Sequence, residues 1–473
     1  MSETGTQSLV QPRIAVYPRS VEGRFRVVKW TILCIAYGTY FLLPWLRWER
    51  AAGPDQAVLF DIGARRFYLF DLVAHAEDLF WLAGFLVIAA LLLFFVTALA
   101  GRVFCGYFCF QTLWTDVYLL IERWVQGDRV ARIRLDKRPW RAGKIARKAL
   151  TWLLWLAMAF VTGLTFTLYW GNAPSLLVDF FAGRAPFPAY ATTLFLTSTT
   201  FVMAGLAREQ VCTYMCPYAR FQSVMFDADT RIVAYDAARG EGRNGRRRIA
   251  RDVKTLEQRT AAGVGDCIDC GYCVQVCPTG IDIRNGLQIQ CISCALCIDA
   301  CNTIMDSLGW ERGLVRYTSE RQLAGERSRL VKPKTLGYGA VLLAATGLLV
   351  WSIGSGAPLE LSVLHVRQPL YVRLSDARIQ NSYELHLENK TDRTVQVAIM
   401  MDGLAGAELD LGHLQSVRLP PQQDLKVLAR VRWMPDQRVK DIRNFRFNLV
   451  PQNAPELGML SSEATFLSPG ESD

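Results

Sequence analysis

Histidine is scarce: the chain has four histidines in 473 residues, against thirteen cysteines. A haem buried among helices needs axial ligands such as histidine, and only His75 lies near an apolar run, while His365, His386 and His413 fall towards the C-terminal end. No C-x-x-C-H occurs, which excludes a c-type haem. No G-x-G-x-x-G follows a predicted strand, which removes the signal for a bound dinucleotide. The expectation is a protein with no haem and no flavin, whose electrons come from a partner or a mobile carrier. Low-complexity tracts and long heptad arrays are also missing.

Long apolar runs are plentiful in a composition that is 51% hydrophobic. Residues 30–46, 79–100, 150–170, 190–207 and 336–353 are each long enough to cross a bilayer as a helix. No small-residue cleavage site follows the first, so it reads as an anchor and not a signal peptide. Lys and Arg number eleven in 101–149, four in 47–78 and one in 171–189. The positive-inside rule then places 101–149 in the cytoplasm. Arg13, Arg19, Arg24, Arg26 and Lys29 hold the N-terminus on the same side, and five spans put the C-terminus outside. The net charge of +10 fits basic loops beside a membrane better than nucleic-acid binding. The basic stretch "RGEGRNGRRRIARDVK", 239–254, reads as a solvated cytoplasmic loop near anionic headgroups.

The predicted organisation is a cytoplasmic segment 1–29, a four-helix transmembrane region 30–207, a cytoplasmic region 208–335, a last span 336–353 and an outer domain 358–473. In that last domain short alternating runs such as "YELHLENKT" and "VQVAIMMDG" are separated by turn residues, the pattern of an all-β sandwich. Asn389-Lys390-Thr391 is a sequon placed at a turn, and no glycan is assigned to it.

Eight cysteines crowd into "CIDCGYCVQVCPTGIDIRNGLQIQCISCALCIDAC". Cys267, Cys270, Cys273 and Cys277 follow C-x2-C-x2-C-x3-C with Pro278 next, and Cys291, Cys294, Cys297 and Cys301 repeat the spacing. In the bacterial two-cluster ferredoxin run the fourth cysteine of each set ligates the other cluster. One [4Fe-4S] cluster is therefore expected on Cys267, Cys270, Cys273 and Cys301, and a second on Cys291, Cys294, Cys297 and Cys277. A pair of zinc knuckles is the competing arrangement, but it has no use for the third closely spaced cysteine of each run. Gly271 suits close approach and positive φ; Ala295 at the equivalent place is less permissive.

A second pattern lies just past the second and fourth apolar runs. "FCGYFC" carries Cys105 and Cys109, "VCTYMC" carries Cys212 and Cys216, and both read C-x-Y-x-C after an arginine, Arg102 or Arg208. On a helix, residues four apart share a face, so each pair is expected to present two thiols side by side. Soft thiolates suit Cu(I) or redox exchange, and Arg102, Arg208 and Arg220 are expected to lower the thiol pKa values. Packing is the competing role for such cysteines; Cys34 and Met215 are read as packing residues.

The order of "FCGYFCFQTLWTD", "CTYMCPYARFQSVMFD", the two-cluster run, a last span and a β domain with "IQNSYELHLENKT" resembles the CcoG family, also called FixG or RdxA, over nearly the whole chain. The match from Cys212 through Cys216, Pro217 and Arg220 to Asp227 is close; Phe110 stands where the family pattern has proline. The resemblance implies a bacterial inner-membrane protein with a cytoplasmic ferredoxin domain and a periplasmic immunoglobulin-like domain. Its implied role is reduction of Cu(II) to Cu(I) during assembly of a cbb3-type cytochrome c oxidase, with a copper transporter or chaperone and oxidase assembly factors as partners. Spacing alone leaves open a quinol-linked electron-transfer subunit of a respiratory reductase, or an assembly scaffold that recruits an oxidase subunit.

Overall fold

The structure, a computed structural model, describes residues 16–50, 52–75, 78–329, 331–414, 416–434 and 442–468. Arg13 lies outside the described residues. The chain divides into two compact units, residues 1–46 with 56–349 and residues 47–55 with 350–473.

Among the described residues five helices are long and apolar enough to cross a membrane: Arg24–Trp45, Leu79–Ala100, Ala142–Leu168, Phe187–Ala207 and Pro333–Gly354. Each matches an expected span, and the first and third start several residues earlier than the apolar runs do. Those added turns carry Arg24, Arg26 and Lys29, or Lys144, Arg147 and Lys148. Long basic side chains let a helix continue into the headgroup layer with the charge in water or on a partner. The fourth span changes to a π-helix over Phe201–Ala207, and a second π turn covers Val211–Met215, neither of which apolar periodicity reveals.

The segment between the first two spans holds a small antiparallel sheet, β1 (Val58–Asp61), β2 (Arg66–Leu69) and β3 (Leu72–Ala74). A helix at Phe110–Gln126 packs on the third span. Its carboxylates are fixed by buried cations: Lys29 Nζ lies 2.8 Å from Asp116, and Arg132 and Arg208 lie 2.8 and 2.5 Å from Glu122. Removing one partner of a buried ion pair costs about 3–5 kcal/mol because the other charge is stranded, so these contacts pin the helix.

Two strands, β4 (Ile232–Tyr235) and β5 (Val315–Thr318), pair antiparallel beside the cysteine-rich loops. The spacing Gly240, Gly242, Gly245 does follow a strand here, contrary to the sequence reading. It does not make a dinucleotide site, because the sheet is a two-stranded antiparallel ribbon and residues 246–250 are not helical. These glycines instead allow backbone contact: a Cβ on Gly242 would lie 2.6 Å from the Gly263 carbonyl oxygen, and one on Gly265 would lie 2.2 Å from Gly240. The first turns of the basic stretch are thus docked and not solvated, with Arg239 Nε 2.5 Å from Asp266.

The second unit is a β-sandwich. One sheet has the order β10 (Glu408–Asp410), β12 (Gln423–Trp433), β8 (Ile379–Asn389) and β6 (Leu359–His365), with β7 (Val372–Arg373) also on β8. The facing sheet runs β11 (Val417–Leu419), β9 (Val395–Asp402), β13 (Ile442–Pro451) and β14 (Leu460–Leu467). Alternate residues of β8 are buried, as period-two patterning dictates. Tyr383, Leu385, Leu387, Phe445, Phe447 and Phe466 form the centre. The sequon asparagine is spent internally, its amide donating to the carbonyls of Arg393, Leu419 and Pro420.

Candidate iron–sulfur and membrane-thiol sites

The two cysteine runs fold into the same backbone path. Asp269 and Gly271 in the first, and Ser293 and Ala295 in the second, all take positive φ, between 51° and 65°. Successive left-handed and right-handed residues turn backbone N–H groups inward to form a concave anion-binding nest. The N–H groups of Ser293, Leu296 and Val315 bond the sulfurs of Cys291, Cys294 and Cys301. Ala295 accepts the left-handed conformation that Gly271 adopts freely, at about 1–2 kcal/mol for its Cβ.

Cys267, Cys270, Cys273 and Cys301 line one cavity. Cys277, Cys291, Cys294 and Cys297 line a second, with Cys273 also at its wall. This grouping is the one the crossed spacing predicts, with Cys273 shared between the two walls. Among the described residues no three His, Cys, Asp or Glu side chains gather tightly enough for a single metal ion; the thiols of each set face a shared cavity. Burial pushes the thiols of Cys273, Cys291 and Cys301 up to about 12, so ligation must displace protons.

This cluster-bearing region is fastened to the spans at three places. The Asp299 carboxylate, on the helix Leu296–Leu308, accepts from the N–H groups of Phe25 (3.2 Å) and Arg26 (2.8 Å) and so caps the first span. The buried Arg102 donates to the Ile289 carbonyl. Tyr107 donates to the Cys294 carbonyl at 3.2 Å. Beside it Gly106 permits contact that a side chain would block, since a Cβ there would lie 2.7 Å from the Ile292 oxygen and 2.9 Å from the Cys294 Cα. Sequence reasoning missed Asp299, Gly106 and Tyr107; the only signal was their position inside the two cysteine motifs.

The two membrane motifs come together. Cys105 and Cys212, Cys109 and Cys212, and Cys109 and Cys216 lie near enough across the motifs that a thiolate on one would raise the pKa of the other. The expected helical face within each pair is absent, however. The chain breaks after Tyr107 and after Met215, and Cys109 and Cys216 become the N-caps of new helices, Phe110–Gln126 and Pro217–Met225. Phe110 starts its helix as Pro217 does, because a first-turn position needs no intrahelical N–H bond and proline is tolerated there without being required.

The expected lowering of the thiol pKa values is overturned. Burial pushes Cys105 up to about 12 and Cys212 up to about 11, outweighing Arg102. Burial also raises Cys109, against the N–H groups of Gln111 and Thr112. Arg208 is committed to Glu122 and Arg102 to the cluster loop. Cys34 and Met215, read as packing residues, are exposed.

Residues 207–320 match a 4Fe-4S dicluster domain, residues 82–126 a 4Fe-4S binding domain, and residues 349–469 the "IG-like fold at C-terminal of FixG". Over 437 residues, 90% of each chain, the sequence is 43% identical to Protein RdxA of Cereibacter sphaeroides. The chain belongs to the FixG/RdxA family. Protein RdxB of the same organism is 42% identical over 89% of each chain. The nitrogen fixation protein FixG of Rhizobium meliloti is 40% identical over 85% of this chain and 82% of its own. A crystal structure of a FixG-related protein from Vibrio parahaemolyticus is 21% identical, covering 24% of this chain and 96% of that one with a TM-score of 0.21, too slight a likeness to add to the fold. As a FixG/RdxA protein with five apolar helices and a dicluster domain, the chain is a membrane iron–sulfur electron-transfer protein.

Proposed function

We propose that this protein reduces Cu(II) to Cu(I) for maturation of a cbb3-type cytochrome c oxidase, with the copper handed to a transporter or chaperone. The observation that carries the reading is that the thiols of Cys105, Cys109, Cys212 and Cys216 are near enough across the two motifs to influence one another pairwise, beside the loop of Cys294. Two [4Fe-4S] clusters, held by Cys267, Cys270, Cys273 and Cys301 and by Cys291, Cys294, Cys297 and Cys277, supply one-electron reducing power when bound. Gly106 and Tyr107 hold the thiol segment against the Cys294 backbone, which keeps the path to the copper short. A pair of these thiols would hold the ion, since no three of them stand close enough to ligate it together, and sulfur ligation favours Cu(I) over Cu(II). Because Cys105 and Cys212 are neutral at pH 7 by virtue of burial, a soft cation displaces their protons on binding.

Single Cys→Ser changes at these four positions are expected to lower copper turnover about tenfold or more, a barrier change above ~1.4 kcal/mol, with iron content unchanged. Wild-type turnover in all four variants would sink the copper reading. On sidedness, the eleven, four and one Lys/Arg distribution supports a cytoplasmic ferredoxin region and a periplasmic sandwich in the bacterial inner membrane. A reporter inserted near Gly242 is expected to be active inside the cell and one fused after Asp473 outside; the reverse pattern in either removes that orientation.

A further inference from the structure

An apolar cavity of about 490 Å³ lies between the first, third and fourth spans and the start of the Phe110–Gln126 helix. We propose that it is a quinol site, where the ring of an isoprenoid quinol binds from the bilayer and delivers the electrons that the clusters receive; this deepens, and rests on, the electron-transfer reading.

Four observations carry the assignment. The volume falls in the range of small-molecule sites, roughly 300–1,000 Å³, and the wall is mainly apolar, which suits a ligand dissolved in lipid. The wall includes a rigid aromatic face. Trp114 and Tyr40 stand edge to face with centroids 5.9 Å apart, the Trp114 indole donates to Thr162 Oγ1 at 3.0 Å, and the Tyr40 hydroxyl donates to the Thr162 carbonyl at 2.7 Å. With their polar ends satisfied, these rings are held in place to stack on a planar guest.

The third observation is the amide of Gln111 on the cavity wall. Gln111 is buried, and its amide nitrogen donates to the carbonyls of Met203 (2.9 Å) and Arg208 (3.3 Å). Among the described residues none donates to its Oε1, which therefore remains to accept from a quinol hydroxyl. A hydrocarbon chain has no use for such a group.

The fourth is position. Phe110, at the cavity edge, is bonded directly to Cys109, and the same motif touches the Cys294 loop through Gly106. Cavity, membrane thiols and cluster ligands thus form one contiguous path. Oxidation of the quinol to the quinone breaks two O–H bonds, releases two protons to water and yields two electrons. Two [4Fe-4S] clusters, when bound by the two cysteine sets, would each supply a one-electron acceptor for this pair of electrons.

The full-length, cluster-loaded protein in detergent is labelled with a photoreactive azidonaphthoquinone, and the cross-links are mapped by mass spectrometry. Labelling is expected on peptides containing Trp114 and Phe166, removed by excess unlabelled menaquinone and not by phospholipid. Filling the cavity from two different helices, with Ala36→Trp and with Leu196→Trp, is expected to lower labelling about tenfold and to slow cluster reduction by a naphthoquinol by a similar factor, while the dithionite-reduced EPR signals stay the same. Competition by phospholipid as effective as by quinone shows an acyl-chain groove and overturns the proposal. So does unchanged labelling in both variants. If a variant loses its clusters, the wild-type labelling map decides. Copper reduction by dithionite-reduced protein is measured without quinol, so its loss would count against the copper reading alone.

Discussion

The chain contains two duplicated sulfur motifs, and they differ in how faithfully the copies fold. The cluster runs repeat spacing and backbone together: Asp269 pairs with Ser293, Gly271 with Ala295, and all four are left-handed. The membrane motifs repeat spacing but not environment, since Tyr107 is buried against the Cys294 loop while Tyr214 is 70% exposed. A run whose three near ligands must wrap one guest fixes its own backbone. A motif that docks against something else takes its conformation from what it meets, and only one of the two membrane copies meets the cluster loop in this way.

The largest expected effect tests the crossed half of the cluster runs. Cys277→Ser should remove the cluster on Cys291, Cys294 and Cys297, and Cys301→Ser the one on Cys267, Cys270 and Cys273. Each variant keeps the other cluster's EPR signal. If each change instead damages the cluster of its own run, the ligand sets are not crossed.

Next comes the docked membrane copy. Gly106→Val must push the Ile292–Cys294 backbone away, which by overpacking costs about 1–3 kcal/mol. It should slow the proposed copper reduction with the thiols of Cys105, Cys109, Cys212 and Cys216 still titratable, whereas Tyr214→Phe on the undocked copy should leave both turnover and melting temperature unchanged. Equal effects of the two would erase the contrast between the copies.

The smallest effect sharpens the backbone repeat. Gly271→Ala places a Cβ on a residue at φ 65° and should destabilise by about 1–2 kcal/mol. The converse Ala295→Gly relieves that strain but frees the unfolded chain, so it should shift stability by less than about 1 kcal/mol. Denaturation of the anaerobically purified variants measures both, and a large loss in Ala295→Gly would mean the two turns are not equivalent.

What the sequence made legible follows the same division. The grouping of eight cysteines around two cavities, the five spans and the alternating strands of the sandwich are local patterns, carried by spacing or period along the chain. The π-helical end of the fourth span, the β1–β3 sheet and the close packing of Gly240, Gly242 and Gly265 are not, because each depends on what lies across from it. The membrane thiols sat in between. Their convergence was readable from the duplication, but the break after Tyr107 and Met215 was not, and burial reversed the charge argument for their pKa values. Arginines near a thiol in sequence were already committed elsewhere, Arg208 to Glu122 and Arg102 to the cluster loop.

Asp299 stands two residues after Cys297 and two before Cys301, and its carboxylate receives the leading amides of the first span. One short helix is therefore both a wall of the iron cage and the socket into which the anchor is plugged. Seating of the leading helix and placement of the Cys297 and Cys301 thiols therefore depend on one helix, so a change at Asp299 bears on the anchor and on the cysteine-lined cavities together.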